Sequence, residues 1–229
     1  MVEHKKAENF ETRLLKHFSI EEGKGVAFAY NHAQKAHRKE VRDTGVSFIG
    51  HPIGVVWILL EECKIKNPSI IEAAFLHDAF ENTADYGTAK DMTYAQLVKN
   101  VRNKVVPMCG EDTAKMIINV SRYKGTDMRR KKSELNEMYY KKLKAASPES
   151  QLVKLADVLN NMRNPSPKVN KQKRKVVEVE EKYLPILKNV IKTYPKEGSY
   201  LIEGINKAIS KWGQEQLEIK SRRASYTHS

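Results

Sequence analysis

Ala73-Ala74-Phe75-Leu76-His77-Asp78-Ala79-Phe80-Glu81-Asn82 decides how this chain is read. The stretch is apolar up to Phe80 except for His77 and Asp78. An apolar helix offers no inexpensive place for an adjacent imidazole and carboxylate, since burying each unpaired costs roughly 1–3 kcal/mol. A divalent cation resolves the conflict: it takes imidazole nitrogen and carboxylate oxygen together and neutralises the charge. Residues four apart share a helix face. Glu81 therefore follows His77, and Asn82 follows Asp78, on the same side. His77 and Asp78 can ligate an ion while Glu81 and Asn82 reach a water or substrate beside it.

Two other stretches repeat the theme. In Gln151-Leu152-Val153-Lys154-Leu155-Ala156-Asp157-Val158-Leu159-Asn160-Asn161-Met162-Arg163, Asp157 lies among apolar residues with Asn161 one turn on. Upstream, His51 precedes Pro52, a residue favoured at the first helical position. Taken singly, a histidine at a helix start such as His51 is more often a cap or surface residue, and Asp157 could simply pair with a lysine. Together, His51, His77, Asp78 and Asp157 supply two nitrogens and two oxygens. That set leaves positions open on an octahedral ion, as a catalytic site requires. His4, His17, His32, His37 and His228 lack such context and are read as surface groups.

The pattern predicts an all-α chain. Helices are expected over 9–18, 26–41, 51–63, 68–80, a short piece through 98 after an Asp91-Met92-Thr93 cap, 110–120, 131–146, and from Ser147 to before Pro165. Two more are expected near 170–193 and 198–216. Strand signals are weak. With 229 residues the chain is long enough for one large core or two small ones.

Composition narrows the function classes. Apolar residues make up 40% and charged residues 30%, the balance of a globular protein. The longest apolar run, from Ile53 to Leu60, is far short of a membrane span. The start, Met1-Val2-Glu3-His4-Lys5-Lys6, does not resemble a signal peptide. Cys63 and Cys109 alone form no disulfide framework, so a reducing, cytoplasmic setting is expected, without membrane association. The net charge of +13 suggests an anionic partner, a nucleotide or RNA, or else a solvated surface. Arg129-Arg130-Lys131-Lys132 and the 168–175 segment concentrate it.

These stretches resemble, in order, the HD-domain hydrolases, and within them the (p)ppGpp hydrolases of the stringent-response Rel/Spo family. Ala36 to Arg42 followed by Thr44-Gly45 is similar to that family's Arg-Lys-Ser-Gly region. Phe48-Ile49-Gly50-His51-Pro52 matches Tyr-Ile-x-His-Pro. Leu76-His77-Asp78 with Glu81-Asn82-Thr83 matches Leu-His-Asp-x-x-Glu-Asp-Thr, Ser121-Arg122 falls at Thr-Lys, and Val153 to Arg163 resembles Val-Lys-Leu-Ala-Asp-Arg-Leu-His-Asn-Met-Arg. The resemblance covers about residues 25 to 165.

It implies a single-domain HD helical bundle. An N-terminal helix (1–24) would precede the hydrolase core (25–165), followed by C-terminal helices packing on that core (166–220) and a tail (221–229). The chain leaves no room for the family's synthetase and regulatory domains, so a stand-alone small alarmone hydrolase is expected. The resemblance further implies one Mn²⁺ ion on His51, His77, Asp78 and Asp157, with Glu81 and Asn82 handling the attacking water. Arg42 would stack on the purine, with Thr44, Lys154 and Asn161 also on the substrate, ppGpp or pppGpp. Same-fold alternatives act on NADPH, (p)ppApp or pyrophosphorylated tRNA, or only bind a nucleotide. Oligomeric state is left open. Two positions depart from the family: Asn82 replaces Asp and cannot accept a proton, and Asp43 stands where relatives often carry Lys.

Overall fold

The computed structural model describes residues 10–82, 92–122 and 132–226, with side chains described over 10–79, 92–122 and 133–219. The chain is helical as expected. Its described elements are α1 (10–15), α2 (Ile20–His37), α3 (Gly50–Trp57), α4 (Pro68–Asn82), α5 (Tyr94–Val120) and α6 (Lys132–Ala145), then α7 (Pro148–Arg163), α8 (Val169–Glu178), α9 (Leu184–Leu187), α10 (Val190–Thr193) and α11 (Pro195–Tyr226). π-helical turns extend α3 through Ile58–Glu62 and α8 through Val179–Tyr183. The only sheet-like pairing among the described residues is a bridge between Val41 and Ser47.

Local chemistry explains the boundaries. Ser19 and Glu22 form a reciprocal capping box, so α2 begins earlier than the expected Val26 and carries Gly23 and Gly25 inside it. It ends at His37, short of Val41, because residues 40–48 fold back as a tight hairpin: Arg42 N–H donates to Val46 O and Phe48 N–H to Glu40 O. Gly45 turns that hairpin at φ +81°, where a side chain is strained. Thr93 and Gln96 box the start of α5, which runs on through Cys109 rather than stopping near Val98. Gly110, at φ +82°, is a joint within α5. Ser147 caps α7 with Pro148 in its first turn.

Two helices are buried on nearly all sides. Ile70, Ile71, Ala73, Ala74, Phe75, Leu76 and Ala79 of α4 are sealed from solvent, as are Leu152, Val153, Leu155, Ala156 and Leu159 of α7. A helix apolar all round belongs in the interior. α4 packs against α2, α3, α5 and α7, and α11 packs along α7. Any polar side chain on α4 facing α7 is therefore held inside the protein. His37 corrects the surface assignment: it is fully buried, bonded through Nδ1 to Glu40 Oε2 at 2.8 Å, with its ring 4.7 Å from that of Phe48. The Phe48 ring in turn meets His51 edge-on at 5.8 Å.

Candidate metal centre and adjoining cavity

His51 enters from the first turn of α3, His77 and Asp78 from α4, and Asp157 from α7. His51 Nε2 lies 3.2 Å from Asp78 Oδ2 and 3.1 Å from Asp157 Oδ1. His77 Nε2 lies 3.4 Å and 3.9 Å from the same two oxygens. Both imidazoles are buried, at 3% and 4% exposure. The ligand atoms of His51, His77 and Asp78 all fall within 4.8 Å of one another.

The remaining ring nitrogens fix the proton positions. His77 Nδ1 donates to Ala74 O at 2.7 Å. His51 Nδ1 donates to Asn160 Oδ1 at 2.9 Å. With both Nδ1 atoms protonated, the neutral imidazoles present lone pairs at Nε2. Two lone pairs then face two carboxylate oxygens, a set made only of acceptors. His77 Nε2 is buried with no hydrogen-bond partner. Such a set fits a cation, and its nitrogen–oxygen mixture suits a divalent transition metal. In the protein without an ion, a proton serves instead. Burial opposes charging of His51, but bonds to Asp157 and Asp78 outweigh it and raise its pKa to about 9. Burial also opposes ionisation of both carboxyls. His77 and His51 hold Asp78 well below the ordinary range, and Lys154 and His51 do the same for Asp157.

Asp157 satisfies both sequence interpretations at once. Oδ2 accepts from Lys154 Nζ at 2.6 Å, while Oδ1 faces the histidines. Oδ1 also accepts from Asn161 Nδ2 at 2.7 Å, and Asn161 Oδ1 accepts from Arg42 at 2.9 Å. A chain of polar contacts thus runs from the ligand cluster to the 40–48 hairpin. Lys154 Nζ rests 5.1 Å from the centre of the Tyr183 ring. Ser121 Oγ donates to His77 O at 2.8 Å, fixing α5 against α4.

Beside the cluster lies a cavity of about 190 Å³ lined by Arg42, Asp43, Thr44, Phe48, His51, Asn161, Lys171 and Lys175 among others. A smaller one of about 110 Å³ adjoins it across Asn161 and Lys175 and reaches Lys154, Asp157 and Tyr183. The site therefore gathers Arg42, Thr44, Lys154 and Asn161 with His51 and Asp157. A further cavity of about 350 Å³, between α7 and α11, is lined by none of these groups.

Lys175 and Asn160 were missed from sequence. Lys175 sits in a run of cations, where a single one carries no signal. It is half-buried and makes no hydrogen bond or ion pair among the described residues. Burial, and then repulsion by Lys171 and Arg42, lower its pKa. Asn160 stands beside Asn161 in the quoted stretch with no signal of its own. Its role shows only in its contact with His51. Glu81 and Asn82 belong to α4, one turn beyond His77 and Asp78, but their side chains lie outside the described residues, as does the 129–132 basic run. No helix is long and apolar enough to cross a membrane among the described residues.

The human guanosine-3′,5′-bis(diphosphate) 3′-pyrophosphohydrolase MESH1 is 30% identical over 138 residues, 59% of this chain and 66% of its own. The bifunctional (p)ppGpp synthase/hydrolase SpoT of Escherichia coli K12 is 31% identical over 161 residues, 69% of this chain and 20% of its own. The chain thus spans just under two thirds of the length of the human relative. A solved structure of a metazoan SpoT orthologue, described as hydrolysing ppGpp, superposes with a TM-score of 0.57 at 22% identity. It covers 82% of this chain and 96% of the other, and shares the fold. The HD domain family model matches residues 29–186, which include all four converging side chains and the lysine beside them; the chain belongs to the HD domain family.

Proposed function

We propose that this protein is a metal-dependent 3′-pyrophosphohydrolase of guanosine tetra- and pentaphosphate, releasing pyrophosphate and GDP or GTP. The observation that carries this is the convergence of four acceptor atoms, from His51, His77, Asp78 and Asp157, beside a cavity bearing Arg42 and the unpaired Lys175. A cluster of acceptors suits a cation, and desolvated cations next to it suit a polyphosphate. The activities named for MESH1 and SpoT support the same choice.

In this reading His51, His77, Asp78 and Asp157 hold a single divalent ion, Mn²⁺ by resemblance. The bound ion would polarise a phosphoryl oxygen and lower the pKa of a water. Arg42 lies against the purine, anchored through Asn161, and Thr44 closes the hairpin side. Lys154 and Lys175 offset phosphate charge. Glu81 accepts the proton of the attacking water, and Asn82 orients that water as a hydrogen-bonding neighbour. The water oxygen bonds to the phosphorus on the ribose 3′-oxygen, the 3′ O–P bond breaks, and the 3′-oxygen takes up a proton as pyrophosphate leaves. Residues 25–165 carry the metal ligands and the residues that handle the water, and 166–220 brace them and add Lys175 to the substrate side. A nucleotide substrate and unpaired cysteines also favour a cytoplasmic setting.

The test is a hydrolysis screen with added Mn²⁺ across ppGpp, pppGpp, ppApp, NADPH and pyrophosphorylated tRNA, products being separated by anion exchange. Release of pyrophosphate from ppGpp by the wild type, and none by His77→Ala, is expected. Turnover of NADPH or tRNA alone would overturn the substrate assignment and keep the fold's chemistry.

A further inference from the structure

Asp43 lines the cavity of about 190 Å³ beside the ligand cluster. It follows Arg42 in the 40–48 hairpin, yet its carboxylate reaches across to the connector between α7 and α8 and to the first turn of α8. Oδ2 accepts from Ser166 Oγ at 2.8 Å and from Lys171 Nζ at 2.5 Å, and Oδ1 accepts from Lys168 Nζ at 3.3 Å. These contacts, led by Lys171 and Ser166, hold the carboxyl ionised far below its ordinary range. Ser166 is a buried anchor: its N–H donates to the fully buried Gln172 Oε1 at 3.0 Å, and its Oγ accepts from Lys168 N–H at 3.3 Å. Apart from the bond of Arg42 to Asn161, little else holds the hairpin's tip, for Val41 and Val46 are exposed.

Charge makes the position informative. Arg42, Lys171 and Lys175 line one cavity, Lys168 stands beside it on Asp43, and like charges repel. Asp43 engages Lys168 and Lys171. Lys175 has no such ion pair: burial and repulsion by Lys171 and Arg42 outweigh the attraction of Asp157 and Asp43, which lie beyond ion-pair distance. The carboxylate therefore decides how many uncompensated cations an entering anion meets.

We propose that Asp43 is a specificity-determining residue that clasps the 40–48 hairpin to the α7–α8 connector. By occupying Lys168 and Lys171, it leaves Arg42 and Lys175 to face the ligand and matches the site to the less highly charged of two nucleotide polyphosphates. This rests on the nucleotide-polyphosphate reading above. With Asp43→Asn, the two lysines become available to substrate and the hairpin loses its tether. With the exchanged pair Asp43→Lys/Lys171→Asp, the tether returns with its polarity reversed.

Two measurements on the full chain test this. The first is the dissociation constant of ppGpp and of pppGpp, read by calorimetry, for wild type, Asp43→Asn and the exchanged pair. Asp43→Asn should shift the ratio several-fold toward pppGpp, and the shift should shrink in high salt as screening shortens the range of the charges. The second is hydrogen exchange of the amides of residues 41–47, which needs no substrate. Exchange should speed up at least several-fold in Asp43→Asn and return toward wild type in the exchanged pair. An unchanged ratio in a protein that binds both nucleotides refutes the specificity role. Unchanged hairpin exchange refutes the clasp. A protein that binds neither nucleotide, yet shows the expected exchange pattern, keeps the clasp and refutes the substrate reading instead.

Discussion

Gly54→Ala should weaken metal binding although Gly54 touches no ligand. A Cβ built at Gly54 falls 2.2 Å from Asn160 Nδ2 and 3.2 Å from its Cγ, both inside contact distance. The flexible end of a side chain would ordinarily swing away at little cost. Here that end is the acceptor holding His51 Nδ1 at 2.9 Å, so relieving the clash breaks the bond that points His51 Nε2 at the carboxylates. Loss of such an outer partner typically costs 10–100-fold in metal affinity, about 1.4–2.7 kcal/mol. Crowding adds roughly 1–3 kcal/mol to the folding cost. Mn²⁺ titration by calorimetry on wild type, Gly54→Ala, Asn160→Ala and the double variant reads the effect. Both single variants should lose affinity to a similar degree. The double variant should lose no more than Asn160→Ala, because the added methyl group then fills space the amide has left. Wild-type affinity in Gly54→Ala, or fully additive losses in the double variant, would refute the linkage through Asn160.

Three further outcomes follow from the same geometry. Glu72, 4% exposed and bonded to Thr113 Oγ1 at 2.7 Å, has its pKa raised to about 7 by burial, against the opposing bonds from Thr113 and Cys109. The folded state therefore keeps this proton to higher pH than the unfolded chain, and stability falls as pH rises from 4.5 to about 7, then levels off. The loss is up to roughly 3 kcal/mol. Urea melts at pH 5 and pH 8 should show it, and Glu72→Gln should remove it; an equal pH slope in the variant would refute this account. Lys175→Ala should raise the KM for ppGpp about tenfold or more while leaving Tm equal or higher, because a cation whose burial is not offset by an ion pair is removed; an unchanged KM would exclude Lys175 from the substrate. Saturating Mn²⁺ at about 100 Kd should add ~2.7 kcal/mol of stability, or roughly 5–11 °C in Tm for a chain of this size. Chelation should reverse that shift, and His77→Ala should show none.

Much of the architecture was legible because it depends on local chemistry. Pro52, Pro68 and Pro148 mark helix starts through a fixed φ and a missing N–H, and Thr93 and Ser147 cap the next turns with their own hydroxyls. The His-Asp pair in an apolar helix announced a cation because burial of two polar groups needs compensation that no single helix supplies. The α5 joint was harder: a short helix through 98 and another from Gly110 were expected, but the segment through Cys109 stays helical because Leu97, Val101 and Val105 are buried.

The amino-acid sequence by itself determined which side chains are costly to bury and therefore must converge. Only the tertiary structure decided what each converges on. The pairing of His51 with Asn160 spans 109 positions, that of Arg42 with Asn161 119, and that of Asp43 with Lys171 128. No helical or strand periodicity reaches so far. Lys175 likewise differs from its neighbouring lysines only in where the α8 helix turns it, into a half-buried wall beside Arg42. His37 was misjudged for the same reason: a histidine at a helix end is solvent-facing until the hairpin after it folds Phe48 back over the ring.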